Sequence, residues 1–540
     1  MLVWLLSRVF SFSQLVPWSY WEVAEARKLL DYGFFERKGA LMHNQFMSGI
    51  VPDPEVFNYV NHPYPIHWLN TFLYFLWGGT GIIAFNAGIG LASSLLTFLV
   101  LRSHFDSKSS WIGTCLYILA PSSIFFDADP NVVAMGACIW PILISLVSLE
   151  LRSFFSPRTP PSLPLVRGGE RWGRWKSQIK ISVVLGIVIF IGGQISWFTL
   201  SVLPSLFIIL YLSKKTDLIE RNEAKTYSTA LLLGAFATLG VFVCQILYYT
   251  PKFEDLFIYL SQQVGADSTS QSRWQLFSGI LIRTVVLVGP ALWVGCCLGV
   301  WMYQKERVSH PFAVGMMAYF IVFALGGVIL ARFYFRERTM YEYLLFPAAY
   351  LATYAIHKKK FSFVVGLFLA LSIPGVMYAQ LRASIPQVSV ASRTIGNFIS
   401  QHTKPNEIVL TNLREQSFPF PNWDVGSHSY TMMAADRLIR FDIQDWSSIQ
   451  KIYKDFSWRE SPPIFLLDLS KEISEELRHQ LETKGVLVTR QTFTIPKEPS
   501  TFATKARTFY WKFLGRQAPS QPDPARTEVT FELYRFQLEG

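Results

Sequence analysis

Trp18-Ser19-Tyr20-Trp21-Glu22-Val23-Ala24-Glu25-Ala26-Arg27-Lys28-Leu29-Leu30-Asp31 opens a stretch that ends only at Asn61-His62-Pro63-Tyr64-Pro65-Ile66-His67-Trp68. It follows one apolar segment and runs for about fifty residues without another, far longer than an ordinary connection. Within it stand Glu22, Glu25, Asp31, His43, Asp53, Glu55 and His62, set among Trp18, Tyr20, Trp21 and Trp68. Polar groups at that density, between hydrophobic segments, point to a site held against a membrane rather than to a linker.

The rest of the chain supplies the membrane. Of its 540 residues 51% are hydrophobic and only 16% charged, with a mean hydropathy of +0.27; a soluble chain carries about 25% charged residues. Apolar runs of about 17 to 25 residues recur, the length a helix needs to cross a bilayer. The spans drawn are 81–101, 109–126, 131–150, 179–195, 197–213, 228–249, 275–303, 312–331, 342–357 and 361–380. With the first segment, Met1 to Pro17, they make about eleven. That first segment is short, carries Arg8 and has no small-residue cleavage site before Trp18, so it reads as a span with a short or truncated start. Pro65 to Gly78 is apolar but too short to span, and reads as an interfacial helix anchored by Trp68, Tyr74 and Trp77.

The net charge of +11 does not imply nucleic acid, because the cations sit in short connections. Those holding Arg102 and Lys108, Arg152 to Lys180, Lys214 to Lys225, Lys305 to Arg307 and Lys358 to Lys360 alternate with the others. All fall on one side, which the positive-inside rule makes cytoplasmic. The long first loop, Asp127 and Asp129, and Arg332 to Glu342 fall on the outer side, so Arg332, Arg336 and Arg338 break the rule there. The five cysteines lie in apolar runs without metal-ligand spacing and read as small buried hydrophobes.

Beyond about Ser384 the spanning runs stop. Residues 407–411 and 463–467 read as short buried strands, and 486–495 and 527–537 as two more. Between them, Ser474 to Gly485 has the marks of a capped helix: a serine N-cap, Glu475 and Glu476 in the first turn, and a closing glycine. The expected fold is therefore a polytopic α-helical membrane domain over 1–383, with its first outer loop over 18–80. A small α/β extracytoplasmic domain follows over 384–540.

The order of these features resembles the GT-C fold of polyprenyl-phosphate-sugar-dependent membrane glycosyltransferases, nearest the protein O-mannosyltransferase and aminoarabinose transferase group. The resemblance rests on the acid-bearing loop with Ala26-Arg27-Lys28-Leu29-Leu30, and on Asn61-His62-Pro63-Tyr64-Pro65 before the interfacial helix. It rests also on the acidic Phe126-Asp127-Ala128-Asp129-Pro130 and on Tyr341-Glu342-Tyr343-Leu344-Leu345-Phe346-Pro347 at a late span entry. These motifs cover roughly the first 380 residues; a shared fold does not by itself fix function.

The resemblance implies a transfer from a polyprenyl-phosphate-linked sugar to a lipid, glycan or protein hydroxyl. That chemistry needs a carboxylate base near the acceptor hydroxyl and fixed positive charge at the leaving phosphate. Glu22 is the expected base with Glu25 second; the alternative is a solvated helix face. Asp127 and Asp129 would orient the acceptor, or else simply turn the chain and cap the next helix. His62 would touch sugar or phosphate, or serve structure alone. Arg332, Arg336 and Arg338 would meet the phosphate, or snorkel to headgroups. Glu342, with Tyr343 beside it, would contact substrate, since a carboxylate entering a span must face a cavity. Arg283 is a further charge inside a span, and Gly192-Gly193-Gln194 reads as helix packing. No cofactor is required by the sequence, and a divalent metal is left open.

One departure matters. The family carries an Asp-Glu pair ahead of the Ala-Arg, and an ungapped count puts Trp18-Ser19 at that place. Either the acid has moved or the chemistry has changed. The rival reading is a non-catalytic protein that binds or moves a lipid-linked glycan, although no paired repeats support transport.

Overall fold

The structure, a computed structural model, describes residues 26, 29–30, 35, 64–126, 133–155, 167–216, 218–249, 284–285, 288–306, 310–329, 343–359, 372, 390–404, 407–413, 435, 438–440, 443–455, 464–469, 472–494 and 528–536. The chain divides into two compact units. The first holds Met1–Ser13, Val60–Ile66 and Thr80–Leu381; the second holds Gln14–Tyr59, His67–Gly79 and Arg382–Gly540.

The helices α1 (Tyr64–His104), α2 (Ser107–Leu119), α3 (Pro121–Phe126), α4 (Val133–Phe155) and α5 (Arg167–Ile195) come first. A 3-10 turn, Trp197–Val202, leads into α6 (Leu203–Lys215), followed by α7 (Arg221–Tyr249), α8 (Pro290–Glu306), α9 (Pro311–Ile329) and α10 (Leu345–Lys359). α1 is two helices joined at Gly78, whose φ of 65° and ψ of −166° are not helical. That backbone region is essentially open to glycine alone, so the break falls where the sequence separates its interfacial helix from its first long span.

Two described segments, Gly81–His104 and Arg221–Tyr248, are long and apolar enough to cross a membrane, with shorter apolar helices at Met135–Ser148, Lys180–Ile195 and Pro311–Phe323. The run drawn as 109–126 is split at Ala120, where an extended backbone precedes Pro121. Proline fixes its own φ and disfavours helix in the residue before it. The run 275–303 is interrupted at Gly289, with φ of 95°, and the span 361–380 lies outside the described residues apart from Ser372. α5 begins at Arg167, inside the cationic stretch read as a connection; Arg, Glu and Lys are good helix formers and let the helix extend.

These helices expose large apolar side chains that a soluble bundle would bury. On α7, Phe236 is 65% exposed and Leu233 64%, while Thr238 and Gln245 are buried; on α1, Leu99 is exposed while Asn86, Ser93 and Thr97 are buried. Large apolar side chains outside, over an apolar interior that also holds some hydroxyl and amide groups, suit a bundle whose solvent is hydrocarbon. Many of the inward polar groups turn back on their own helix: Asn86 donates to the Ile82 carbonyl at 2.8 Å, Thr238 to Gly234 at 3.0 Å and Thr353 to Ala349 at 2.6 Å. The apolar outer surface also corrects the reading of the cysteines. Cys138 and Cys296 are buried, Cys115 is intermediate, and Cys244 and Cys297 are exposed, since an apolar thiol loses nothing on a lipid-facing surface.

α10 is the axis of this unit. It packs against α8, α2, α9 and α4, and residues 343–356 are buried on every side, as expected of a helix apolar all round. α5 and α7 cross closely where a Cβ on Gly234 would lie 2.3 Å from the Gly186 carbonyl oxygen.

In the second unit, Ala26 and Leu29 have helical backbone and are both buried. α11 (Val390–His402), α12 (Trp446–Asp455) and α13 (Glu475–Lys484) accompany a five-stranded sheet of β1 (Ile408–Thr411), β2 (Leu438–Arg440), β3 (Ile464–Asp468), β4 (Gly485–Thr494) and β5 (Glu528–Phe536). The strand order is β2-β1-β3-β5-β4; β1 is parallel to β2 and β3, and β5 is antiparallel to β3 and β4. β3 is buried throughout, matching the apolar run Ile464-Phe465-Leu466-Leu467; it ends in Asp468, whose backbone N–H and carbonyl are both met by the Asn412 side chain. Ser474 caps α13 by accepting from the Leu477 N–H at 3.1 Å, and Gly485 passes straight into β4 with an extended rather than left-handed backbone.

Candidate functional site

Of the residues singled out by sequence, Glu22, Glu25, His62, Asp127, Asp129, Arg283, Arg332, Arg336, Arg338 and Glu342 lie outside the described residues. Tyr343 is the member of that set the structure describes. It stands in a π-helical turn with Leu344, directly before α10, and is fully buried. Its hydroxyl pairs with the Thr199 hydroxyl at 3.0 Å, across 144 residues of sequence.

Thr199 comes from the 3-10 turn between α5 and α6. The turn is held by Ser196 N–H to the Gly192 carbonyl at 2.9 Å and Thr199 N–H to Ser196 at 3.0 Å. Gly192 leaves room for it: a Cβ there would lie 2.7 Å from Thr199 Cγ2 and 2.9 Å from Ile139 Cδ1. Two residues on, Ser201 pairs with the Tyr319 hydroxyl of α9 at 3.1 Å. Trp140 of α4 packs edge-on to the Tyr319 ring, with centroids 5.0 Å apart. Its indole N–H and both side-chain amide atoms of Gln194 are buried without a hydrogen-bond partner. The short turn thus sends one hydroxyl to the head of the central helix and another to α9.

These hydroxyl, indole and amide groups can hold and orient a polar ligand or a neighbouring segment. They offer no ready proton acceptor for attack by an alcohol, which calls for a carboxylate or imidazole. Sequence reading did not single out Thr199, Ser201, Tyr319 or Trp140. Hydroxyls and rings in apolar runs carry no motif, and only the glycine pair before Gln194 hinted at a close approach.

A second cluster gathers at the other end of α10. His104 Nε2 lies 2.6 Å from Ser148 Oγ, which donates to the Ile144 carbonyl, and His104 Nδ1 lies 2.7 Å from the Tyr350 hydroxyl. Because Ser148 spends its proton on Ile144, His104 donates from Nε2 and accepts at Nδ1 from Tyr350. Asp106 caps α2 by accepting from Ser109 N–H and Oγ at 3.0 and 2.6 Å, and pairs with His357 Nδ1 at 2.7 Å. These bonds, to His357 first and then to Ser109, hold the Asp106 carboxyl well below its ordinary pKa. His310 accepts from the Ala313 N–H at 3.3 Å at the start of α9. Burial first, and then the charge of Lys358, lower its pKa from 6.5 to about 4. Among the described residues, no three His, Cys, Asp or Glu side chains are grouped to hold a metal.

Known structures place this architecture. The apo crystal structure of ArnT from Cupriavidus metallidurans, an aminoarabinose transferase, matches with a TM-score of 0.51 at 12% identity, over 98% of this chain and 96% of that one. The chain has the GT-C fold. The Archaeoglobus fulgidus oligosaccharyltransferase, tethered to an acceptor peptide containing the NVT sequon, matches with a TM-score of 0.50 at 10% identity, over 98% of this chain and 88% of that one. Its apo form matches with a TM-score of 0.50 at 9% identity. The GT-C likeness thus extends over nearly the whole chain, past the first 380 or so residues where sequence motifs carried it. No protein-family model matches the sequence, and no curated protein does.

Proposed function

We propose that this protein is an integral membrane glycosyltransferase that moves a sugar from a polyprenyl-phosphate carrier to a hydroxyl of a lipid, glycan or protein. The observation that carries the proposal is the GT-C architecture over 98% of the chain in an aminoarabinose transferase and an oligosaccharyltransferase, in a bundle that turns apolar groups outward. The reaction belongs at the outer face of a membrane of about eleven spans, by inference the bacterial inner membrane, with the C-terminal unit on the periplasmic or exterior side.

In this mechanism the acceptor O–H gives its proton to the Glu22 carboxylate while its oxygen bonds to the anomeric carbon. The bond from that carbon to the phosphate oxygen breaks, and polyprenyl phosphate leaves. Glu25 stands as second candidate for the base, Asp127 and Asp129 orient the acceptor, and His62 meets sugar or phosphate. Arg332, Arg336 and Arg338 stabilise the charge growing on the leaving phosphate, as guanidinium groups do efficiently. Glu342 and Tyr343 complete the donor side.

The test is release of polyprenyl phosphate from a panel of polyprenyl-phosphate hexoses and pentoses by the purified full chain. Wild type should turn over at least one, and Glu22→Gln should abolish turnover while the protein remains folded. Normal turnover by well-folded Glu22→Gln removes that assignment. Binding of the donors with no turnover of any of them favours the rival reading, a lipid-linked-glycan binding or transport protein, for which the missing Asp-Glu pair speaks.

A further inference from the structure

α5 and α7 run side by side in the same direction. A Cβ on Gly186 would lie 2.9 Å from the Ala230 carbonyl oxygen, and one on Gly193 would lie 2.3 Å from Thr238 Cγ2. The two contacts advance together along both helices, so the helices start at the same end of the bundle. Lys180 stands six residues before Gly186 and Lys225 five before Ala230. At about 1.5 Å per residue, the two lysines are level to within a few ångströms.

Each lysine heads a stripe that the bundle leaves uncovered. Lys180 is exposed, and Val183, Ile187 and Ile191 follow it at helical spacing, 53%, 48% and 50% exposed. Lys225 is exposed as well, and Leu232, Phe236 and Val243 continue its face of α7, all exposed. Residues three or four apart share a helix face, so a stripe that lies against acyl chains brings its first residue to the headgroups. Arg221, one turn before Lys225, adds a third exposed cation. Glu220 is exposed beside them, while Glu223 is buried and accepts from the Glu220 N–H at 2.9 Å. This is the end that the distribution of cations makes cytoplasmic.

We propose that the outward side of α5 and α7 binds an anionic phospholipid of the cytoplasmic leaflet. Its phosphate meets Lys180 and Lys225, and its acyl chains lie over Val183, Ile187 and Phe236. The lysines match a phosphodiester in charge and the stripes below them match hydrocarbon; basic sites between spans recognise acidic headgroups in this way. The inference rests on the membrane reading of the bundle and not on the transfer reaction. Cations that only set topology would be interchangeable with others on the same side. A site makes these two positions count for more.

The probe is dioleoyl phosphatidylglycerol, titrated into the purified full chain in neutral detergent and followed by native mass spectrometry. Dioleoyl phosphatidylcholine is the uncharged comparison. Wild type should bind phosphatidylglycerol the more tightly, by about tenfold or more. Lys180→Gln and Lys225→Gln should each weaken that binding about fivefold, and together about twenty-five-fold. Replacing both lysines by arginine should preserve it. All these side chains are exposed, so melting temperatures without added lipid should match wild type. The control is Lys358→Gln, which removes an exposed cation near the end of α10 and should leave affinity unchanged. Glycerol 3-phosphate, a headgroup without chains, should not compete. The inference is overturned if the double glutamine variant keeps wild-type affinity, if Lys358→Gln loses as much as either lysine of the stripes, or if phosphatidylcholine binds equally well. Displacement of the lipid by glycerol 3-phosphate also overturns it, and would mark a site for free phosphate instead.

Discussion

Asp106 shows how one side chain ties three helices together. It follows the last turn of α1, caps α2 through Ser109 and reaches His357 near the end of α10. As a cap alone such a residue stabilises by about 0.5–2 kcal/mol. The half-exposed ion pair with His357 adds little more, because solvent screens it. Asp106→Ala should therefore lower stability by about 1 kcal/mol, and Asp106→Asn, which can still cap, by clearly less; chemical or thermal unfolding in detergent checks both. The carboxyl's depressed pKa fixes the sign of its pH response. Its stabilising contribution is present above the unfolded value, near 3.8, and is lost as pH falls below it.

At the scale of elements, Gly78 is the informative position. Its backbone lies where only glycine is comfortable, and a Cβ placed there meets nothing within 4 Å. The cost of a side chain is thus one of backbone conformation, about 1–3 kcal/mol, and not one of crowding. Gly78→Ala and Gly78→Val should consequently destabilise by similar amounts in thermal unfolding; a much larger loss for valine would mean that packing governs the break. This break was legible in the sequence because a short apolar run ending in Gly78-Gly79 precedes a longer one. So were the Ser474 cap and the strands at 485–494 and 528–536, where local chemistry and alternation agree. β2, only Leu438–Arg440, is too short to show alternation, whereas α11 and α12 carry a clear helical apolar period that was legible and was not singled out. The split at Pro121 was missed although Pro121-Ser122-Ser123 interrupts the apolar run with residues that end one helix and start another. At the candidate site, charge and aromatic motifs drew attention to the loops, while the described network is made of hydroxyls and an indole whose significance comes from long-range proximity. Tyr343 alone belongs to both.

For the molecule as a whole, a buried histidine, His310, should make stability depend on acidity. His104, His310 and His357 come from α1, the start of α9 and α10, with Phe105, Phe312, Tyr350, Tyr354 and Lys358 around His310. His310 has a folded-state pKa of about 4 against 6.5, so between those values the unfolded chain binds a proton that the folded one refuses. Stability should fall as pH drops through that window, by on the order of 1–3 kcal/mol from this group. His310→Asn, which retains a capping acceptor for Ala313, should flatten the window and converge with wild type above it; identical unfolding profiles from pH 4 to 7 would contradict the assignment. The self-contained polar groups of the bundle carry a consequence for biogenesis. The hydroxyls of Ser94, Thr114, Thr238 and Thr353 each donate to the carbonyl four residues earlier on the same helix. A helix that satisfies its own polar atoms can leave the translocon for lipid before its neighbours arrive, so these segments can be inserted singly and the bundle assembled afterwards by lateral association.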